Sequence, residues 1–84
     1  MTSNEVKALI EAGMKDAQVT VEGGDGMFNA TVVSDQFEGL AMVKKQQMVY
    51  ATVNTEITSG AMHALTIKAY TQKEWATASK LLIG

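Results

Sequence analysis

The sequence predicts an α+β domain: a three-stranded mixed sheet covered by helices, with the two outer helices on one face. Three observations carry this expectation. Three short segments alternate apolar and polar residues at the strand period. The stretches between and around them repeat apolar residues at the helix period. The first two strand segments are separated only by a glycine-rich stretch, which reads as a hairpin, whereas the second and third are separated by a helical crossover. That crossover permits the parallel or diagonal pairing that a hairpin does not.

In chain order the first element is a helix from about Asn4 to Met14, with a soft end near Gly13. Thr2-Ser3-Asn4-Glu5 has capping-box spacing, and Val6, Leu9, Ile10 and Met14 form the apolar face. Ala17, Val19 and Val21 then alternate with Gln18 and Thr20, a strand. Glu22-Gly23-Gly24-Asp25-Gly26 breaks it, and Phe28, Ala30 and Val32 alternate with Asn29 and Thr31 as a second strand. The intervening loop is expected to exceed the two-residue minimum. It runs from strand to strand rather than from strand to helix, so its glycines read as turn residues rather than a phosphate cradle.

Residues 34–39 form a connection or short turn. A helix is expected from about Leu40 to Tyr50, with Val43, Gln46 and Tyr50 on one side and Lys44 and Lys45 away from that side's centre. Gln46 among apolar neighbours implies a hydrogen bond to a nearby backbone group. A break near Thr52, with its hydroxyl capping a second short helix that ends before Ser59-Gly60, is the favoured continuation; one long helix from Leu40 to Thr58 is the alternative.

His63 to Tyr70 is the clearest strand pattern, with Leu65, Ile67 and Ala69 on one face and Thr66 and Lys68 on the other. Thr71-Gln72-Lys73-Glu74 repeats the capping-box spacing and opens a last helix with Trp75, Ala78 and Leu82 on one face. Leu81-Leu82-Ile83-Gly84 is expected to fold back onto the sheet.

The chain has 84 residues, the size of one domain. A domain this small buries only about 60–65% of the surface of its unfolded chain, so it has little stability to spare. There is no cysteine, hence no disulfide and no thiolate ligand or nucleophile. Residues 1–15 carry Glu5, Lys7 and Glu11, which interrupt any signal-peptide core, and no apolar run is long enough to span a bilayer. The expected compartment is the cytoplasm, with no membrane partner. Net charge is -2, and all seven basic residues are lysines, a poor endowment for tight, sequence-specific DNA recognition.

No catalytic set is visible. Nucleophilic catalysis wants a Ser or Cys with a base and an orienting group, and the chain has one histidine and no cysteine. Asp35 and Glu38 border a loop and read as a solvated turn. A structural zinc site needs about four Cys or His ligands. If His63 binds a metal, most other ligands come from outside the chain. From spacing alone His63 reads first as an ordinary, hydrogen-bonded strand-end histidine.

Val43-Lys44-Lys45-Gln46-Gln47-Met48-Val49-Tyr50, followed by His63-Ala64-Leu65-Thr66-Ile67-Lys68-Ala69-Tyr70-Thr71 and Glu74-Trp75, resembles the BolA family. Gly39 and the glycine-rich hairpin also fit. The resemblance extends over nearly the whole chain and implies a class II KH-like fold, in agreement with the element order. It also implies a non-enzymatic role as partner of a monothiol glutaredoxin, in a complex that holds a glutathione-ligated [2Fe-2S] cluster. His63 matches the family's cluster-facing histidine. The second implied activity is DNA binding and transcriptional regulation, for which Lys44, Lys45 and Lys68 are the candidate contacts. Alone, the protein is expected as a monomer or homodimer.

One departure from the family pattern stands out. Where members commonly offer a second His or Cys ligand from the first hairpin, this chain has Met27, a poor iron–sulfur ligand by comparison. Asp25 is the nearby substitute. With two thiolates from glutaredoxin and glutathione, His63 is then the dominant ligand expected of this chain.

Overall fold

The computed structural model describes the backbone of residues 1–83 and the side chains of residues 1–80. The first helix, α1, spans Ser3–Gly13. Its capping box forms as expected: Glu5 N–H donates to Thr2 Oγ1 at 3.2 Å and Thr2 N–H donates to Glu5 Oε1 at 2.8 Å. Val6, Ile10 and Met14 are buried. The helix ends where a side chain could not be accommodated, because a Cβ at Gly13 would lie 2.9 Å from Thr52 Cβ. The missing side chain lets the first helix close onto the end of the second.

Strands β1 (Gln18–Gly24) and β2 (Met27–Val33) are antiparallel, with Val21 opposite Ala30. Both are longer than the alternation alone implied. The loop shrinks to a two-residue turn, Asp25-Gly26, with φ of 55° and 79°. Positive φ at both central residues is the type I′ signature, whose twist matches the flanking strands. The expectation of a longer loop was wrong because Glu22, Gly23 and Gly24 continue the ladder against Asn29, Phe28 and Met27. Ladder hydrogen bonds use the backbone, which glycine retains.

A short 3₁₀ turn, Asp35–Phe37, follows, opened by Ser34, whose hydroxyl accepts from Gln36 N–H. Helix α2 spans Met42–Thr52 and helix α3 Asn54–Thr58, so the broken-helix expectation holds. Its mechanism differs. Thr52 Oγ1 donates back to Val49 O at 2.6 Å, a bond to the preceding turn, and Val53 opens α3 without a side-chain cap.

Strand β3 spans Ala64–Tyr70 and lies parallel to β2, giving the sheet order β1-β2-β3. The expected mixed sheet is present. Val19, Phe28, Ala30, Val32, Leu65, Ile67 and Ala69 form its buried face with Val6 and Ile10 of α1, Val49 of α2 and Val53 between α2 and α3. Thr20, Glu22, Asn29, Thr66 and Lys68 form an exposed polar face. One wet and one dry face is the ordinary state of an open sheet with a helical layer on one side.

Helix α4 spans Gln72–Ile83. The helix that joins α1 in the core layer is α2; among the described residues α4 contributes nothing to the buried cluster. It leans on the end of β3 instead, with the Tyr70 and Trp75 rings 5.3 Å apart between centroids. The expectation that residues 81–84 fold back onto the sheet lies outside the described side chains.

Candidate functional site

The approach to β3 is fixed by burial and by backbone bonds. Met62 is buried, and its N–H donates to Glu56 O at 3.1 Å. The next residue, His63, is exposed. Its N–H and that of Ala64 both donate to Gly26 O, at 2.7 and 3.0 Å. The parallel register carries on from there, with Ala64 opposite Met27. The backbone of His63 is therefore tied to the hairpin turn. Among the described residues, no hydrogen bond engages its imidazole. Of the hydrogen bonds expected of a strand-end histidine, those of the backbone are present, and the ring makes none to another described residue.

The same sheet end carries Asp25 and Met27. Both are exposed, Met27 at 63%. Strand alternation puts Met27 on the polar face with Asn29 and Thr31, because Phe28, Ala30 and Val32 are buried. The imidazole lies instead against Gly26, where a Cβ would meet ring atoms Cδ2, Cγ and Nε2. So the structure brings Asp25, Met27 and His63 to one end of the sheet, with Gly26 against the ring. Among the described residues no group of three or more His, Cys, Asp or Glu side chains could hold a metal ion. The side chains at this end therefore do not make a metal site of this chain alone among the described residues.

The lysines are not assembled with it. Lys44 is exposed on α2 and Lys68 is exposed on the polar sheet face, whereas α2 packs on the other face. Lys68 stands five residues beyond His63, about 16 Å along an extended strand. Lys45 departs from expectation: it is only 6% exposed, and its ammonium lies 2.8 Å from Glu74 Oε1. The reason is helical geometry. Lys45 is one turn before Val49 and shares its buried stripe. Lys44 and Lys45 therefore do not form a two-lysine surface patch.

Glu74 serves two partners with one oxygen. Oε1 accepts from Lys45 and from Thr71 N–H, each at 2.8 Å, while Glu74 N–H donates to Thr71 Oγ1. The Lys45 ammonium, then the Thr71 N–H, hold the Glu74 carboxyl below the usual carboxylate range. Asp35 Oδ1 accepts from Gln72 N–H at 3.2 Å, a second tie at the start of α4.

The outer edge of β3 is also served. Tyr50 OH donates to Leu65 O at 2.8 Å and Gln46 Nε2 to Ile67 O at 3.4 Å. Four residues along a helix rise about 6 Å and two along a strand about 6.6 Å, so α2 matches alternate carbonyls of β3. The expected backbone bond of Gln46 is met by this edge; the Tyr50 partner was not visible in sequence.

Comparison with known proteins follows the same outline. Residues 4–74 match the family described as BolA-like protein. The chain is 37% identical over 81 residues to the acid stress protein IbaG of Escherichia coli K12, covering 96% of each. A 53-residue stretch is 38% identical to the DNA-binding transcriptional regulator BolA of the same organism, and covers 63% of this chain and half of that protein. Among solved structures, a BolA protein homologue from Coxiella burnetii superposes with a TM-score of 0.82 at 31% identity, over 90% of this chain and 97% of that one. The mixed sheet, its helical layer and the match over most of the sequence have one consequence: this chain belongs to the BolA family.

Proposed function

We propose that this protein is a non-enzymatic partner of a monothiol glutaredoxin in handling a [2Fe-2S] cluster, with His63 as the ligand it lends. One observation carries the reading. The only imidazole of the chain stands exposed on a backbone-tied seat, with its ring free of hydrogen bonds among the described residues. A ring that is exposed and makes no hydrogen bond within the described residues can be reached by a ligand from outside the chain, which supports the reading.

A [2Fe-2S] centre needs four protein or peptide ligands. Two thiolates from glutaredoxin and glutathione leave room for an imidazole, and Asp25 and Met27 are the other groups at this sheet end. Replacing a thiolate by imidazole raises the reduction potential, and the imidazole must be neutral to ligate. This chain's contribution is therefore to hold an imidazole at a fixed place on the surface it offers to its partner.

The test is an anaerobic titration with glutathione-loaded [2Fe-2S] glutaredoxin, followed by visible absorption and circular dichroism. Wild type should shift the spectrum. His63→Ala should still bind by protein contacts yet leave the spectrum of the glutaredoxin alone. Equal spectra and equal cluster lifetimes for the two would remove His63 from the ligand set. Met27→His should lengthen the lifetime of the mixed cluster; no change would mean that this position of the hairpin does not reach it.

The name of the E. coli regulator supports a second reading, a DNA-binding role. The distribution of charge favours it less, since Lys45 is paired and Lys44 and Lys68 lie on different faces. Under this reading Lys44→Ala should reduce the salt slope of DNA binding by about one phosphate contact, and Lys45→Ala should leave it nearly unchanged.

A further inference from the structure

We propose that Gly26 is a positioning residue for His63: the space left by its missing side chain, together with its carbonyl, seats the imidazole. A Cβ at Gly26 would collide with ring atom Cδ2 and lie 3.1 Å from Cγ and 3.2 Å from Nε2. The ring occupies the volume that any other residue would fill. The same residue's carbonyl takes the N–H groups of both His63 and Ala64. One glycine therefore fixes the backbone under the histidine and the place of its ring.

The type I′ turn already favours glycine here, because φ at Gly26 is 79°. Two other glycines separate this turn requirement from the seating role. Gly39 and Gly60 have φ of 77° and 83°, and a Cβ at either would meet nothing within 4 Å. Alanine at those positions carries a similar left-handed backbone cost and touches no ring. What Gly26→Ala does beyond them is the consequence of displacing His63.

An exposed histidine ordinarily samples several χ1 rotamers. Seated on Gly26, the wild-type ring should hold one, read from three-bond couplings to Cγ by NMR. Gly26→Ala should populate others, while Gly39→Ala and Gly60→Ala should keep the wild-type couplings. Should Gly26→Ala fold poorly, Gly26→Asn serves in its place, since Asn tolerates the left-handed region and still carries a Cβ, with Gly60→Asn as its control. The second readout rests on the ligand role proposed above. The change that this protein causes in the visible dichroism of cluster-loaded glutaredoxin should fall at least two-fold with Gly26→Ala, and should be unaltered with Gly60→Ala. Unchanged χ1 couplings in Gly26→Ala overturn the proposal, as does a loss of the single rotamer that Gly60→Ala shares equally. If wild type and His63→Ala give one spectrum, the ligand role fails, and the couplings alone decide the seating.

Discussion

The two ends of β3 are built on different principles. At the start, His63 is tied by backbone to the hairpin turn, and its ring lies against Gly26 without a hydrogen bond among the described residues. At the finish, side chains do the holding: Thr71 and Glu74 cap α4, Lys45 reaches Glu74 from α2, Asp35 reaches Gln72 N–H, and Tyr70 packs on Trp75. The contrast teaches where function can sit in a domain with so small a core. A side chain can be placed without spending its own polar groups when main-chain bonds hold its backbone, as Gly26 O does for His63 and Ala64. The stabilising side chains gather at the opposite end, where substitution should cost the fold.

The contrast breaks most visibly at Lys45. Its methylene stem is buried and its charge is paired. Lys45→Ala should lower the unfolding free energy by about 2 kcal/mol, mostly through the lost burial of the stem. Lys45→Met keeps that stem, drops the charge and leaves Glu74 able to turn to water, so it should recover most of the loss. Urea unfolding of the two variants separates stem from charge; equal losses would mean that the ion pair, rather than the packing, holds this end.

Next in size is the edge of β3. Tyr50→Phe removes one hydrogen bond to Leu65 O and should cost about 1 kcal/mol in the same unfolding experiment. The Tyr50 ring remains, so cluster spectra with glutaredoxin should not change. A spectral change would mean that α2 positions the His63 end as well, and that the two ends are not independent.

Acid gives a smaller, graded effect. The Glu74 carboxyl is held below its unfolded value of 4.5. A depressed folded pKa stabilises the fold above the unfolded value, and this contribution is lost as pH falls through the folded value. Melting temperature should therefore decline as pH falls below 4.5, and Glu74→Gln should make that limb shallower. Glu5, lowered by its Thr2 capping bonds, supplies part of the same limb and should remain in the variant. An acid limb identical in wild type and Glu74→Gln would show that Lys45 and Thr71 do not favour the charged carboxylate.

These ends were unequally legible in the sequence. Both capping boxes were, because their bonds span three residues. So was the buried face of β3, because a strict alternation of Leu65, Ile67 and Ala69 has one physical meaning. The length of the hairpin turn was not: glycines in a strand look like loop, and their ladder bonds leave no mark on the side-chain pattern. Lys45 with Glu74 was not, since 29 residues separate them. The period did contain a partial signal, because Lys45 is one turn before Val49. At the site, His63 was visible as the lone imidazole, and its resemblance to a family residue gave it a role. The ring's place over Gly26 depends on a parallel pairing, which is invisible before the crossover is traced.

The smallest effect on stability belongs to His63, and it is the sharpest test of the contrast. The imidazole is exposed and the bonds that hold the residue come from its N–H, which alanine retains. His63→Ala should therefore stay within about 0.5 kcal/mol of wild type, as surface substitutions away from special features usually do. The same change should abolish the spectral shift of cluster-loaded glutaredoxin. A residue that weighs almost nothing in folding and almost everything in the partner's spectrum is the outcome expected when main-chain groups do the holding. A loss of 2 kcal/mol or more would place the ring among the structural side chains, and the start of β3 would then be built like its finish.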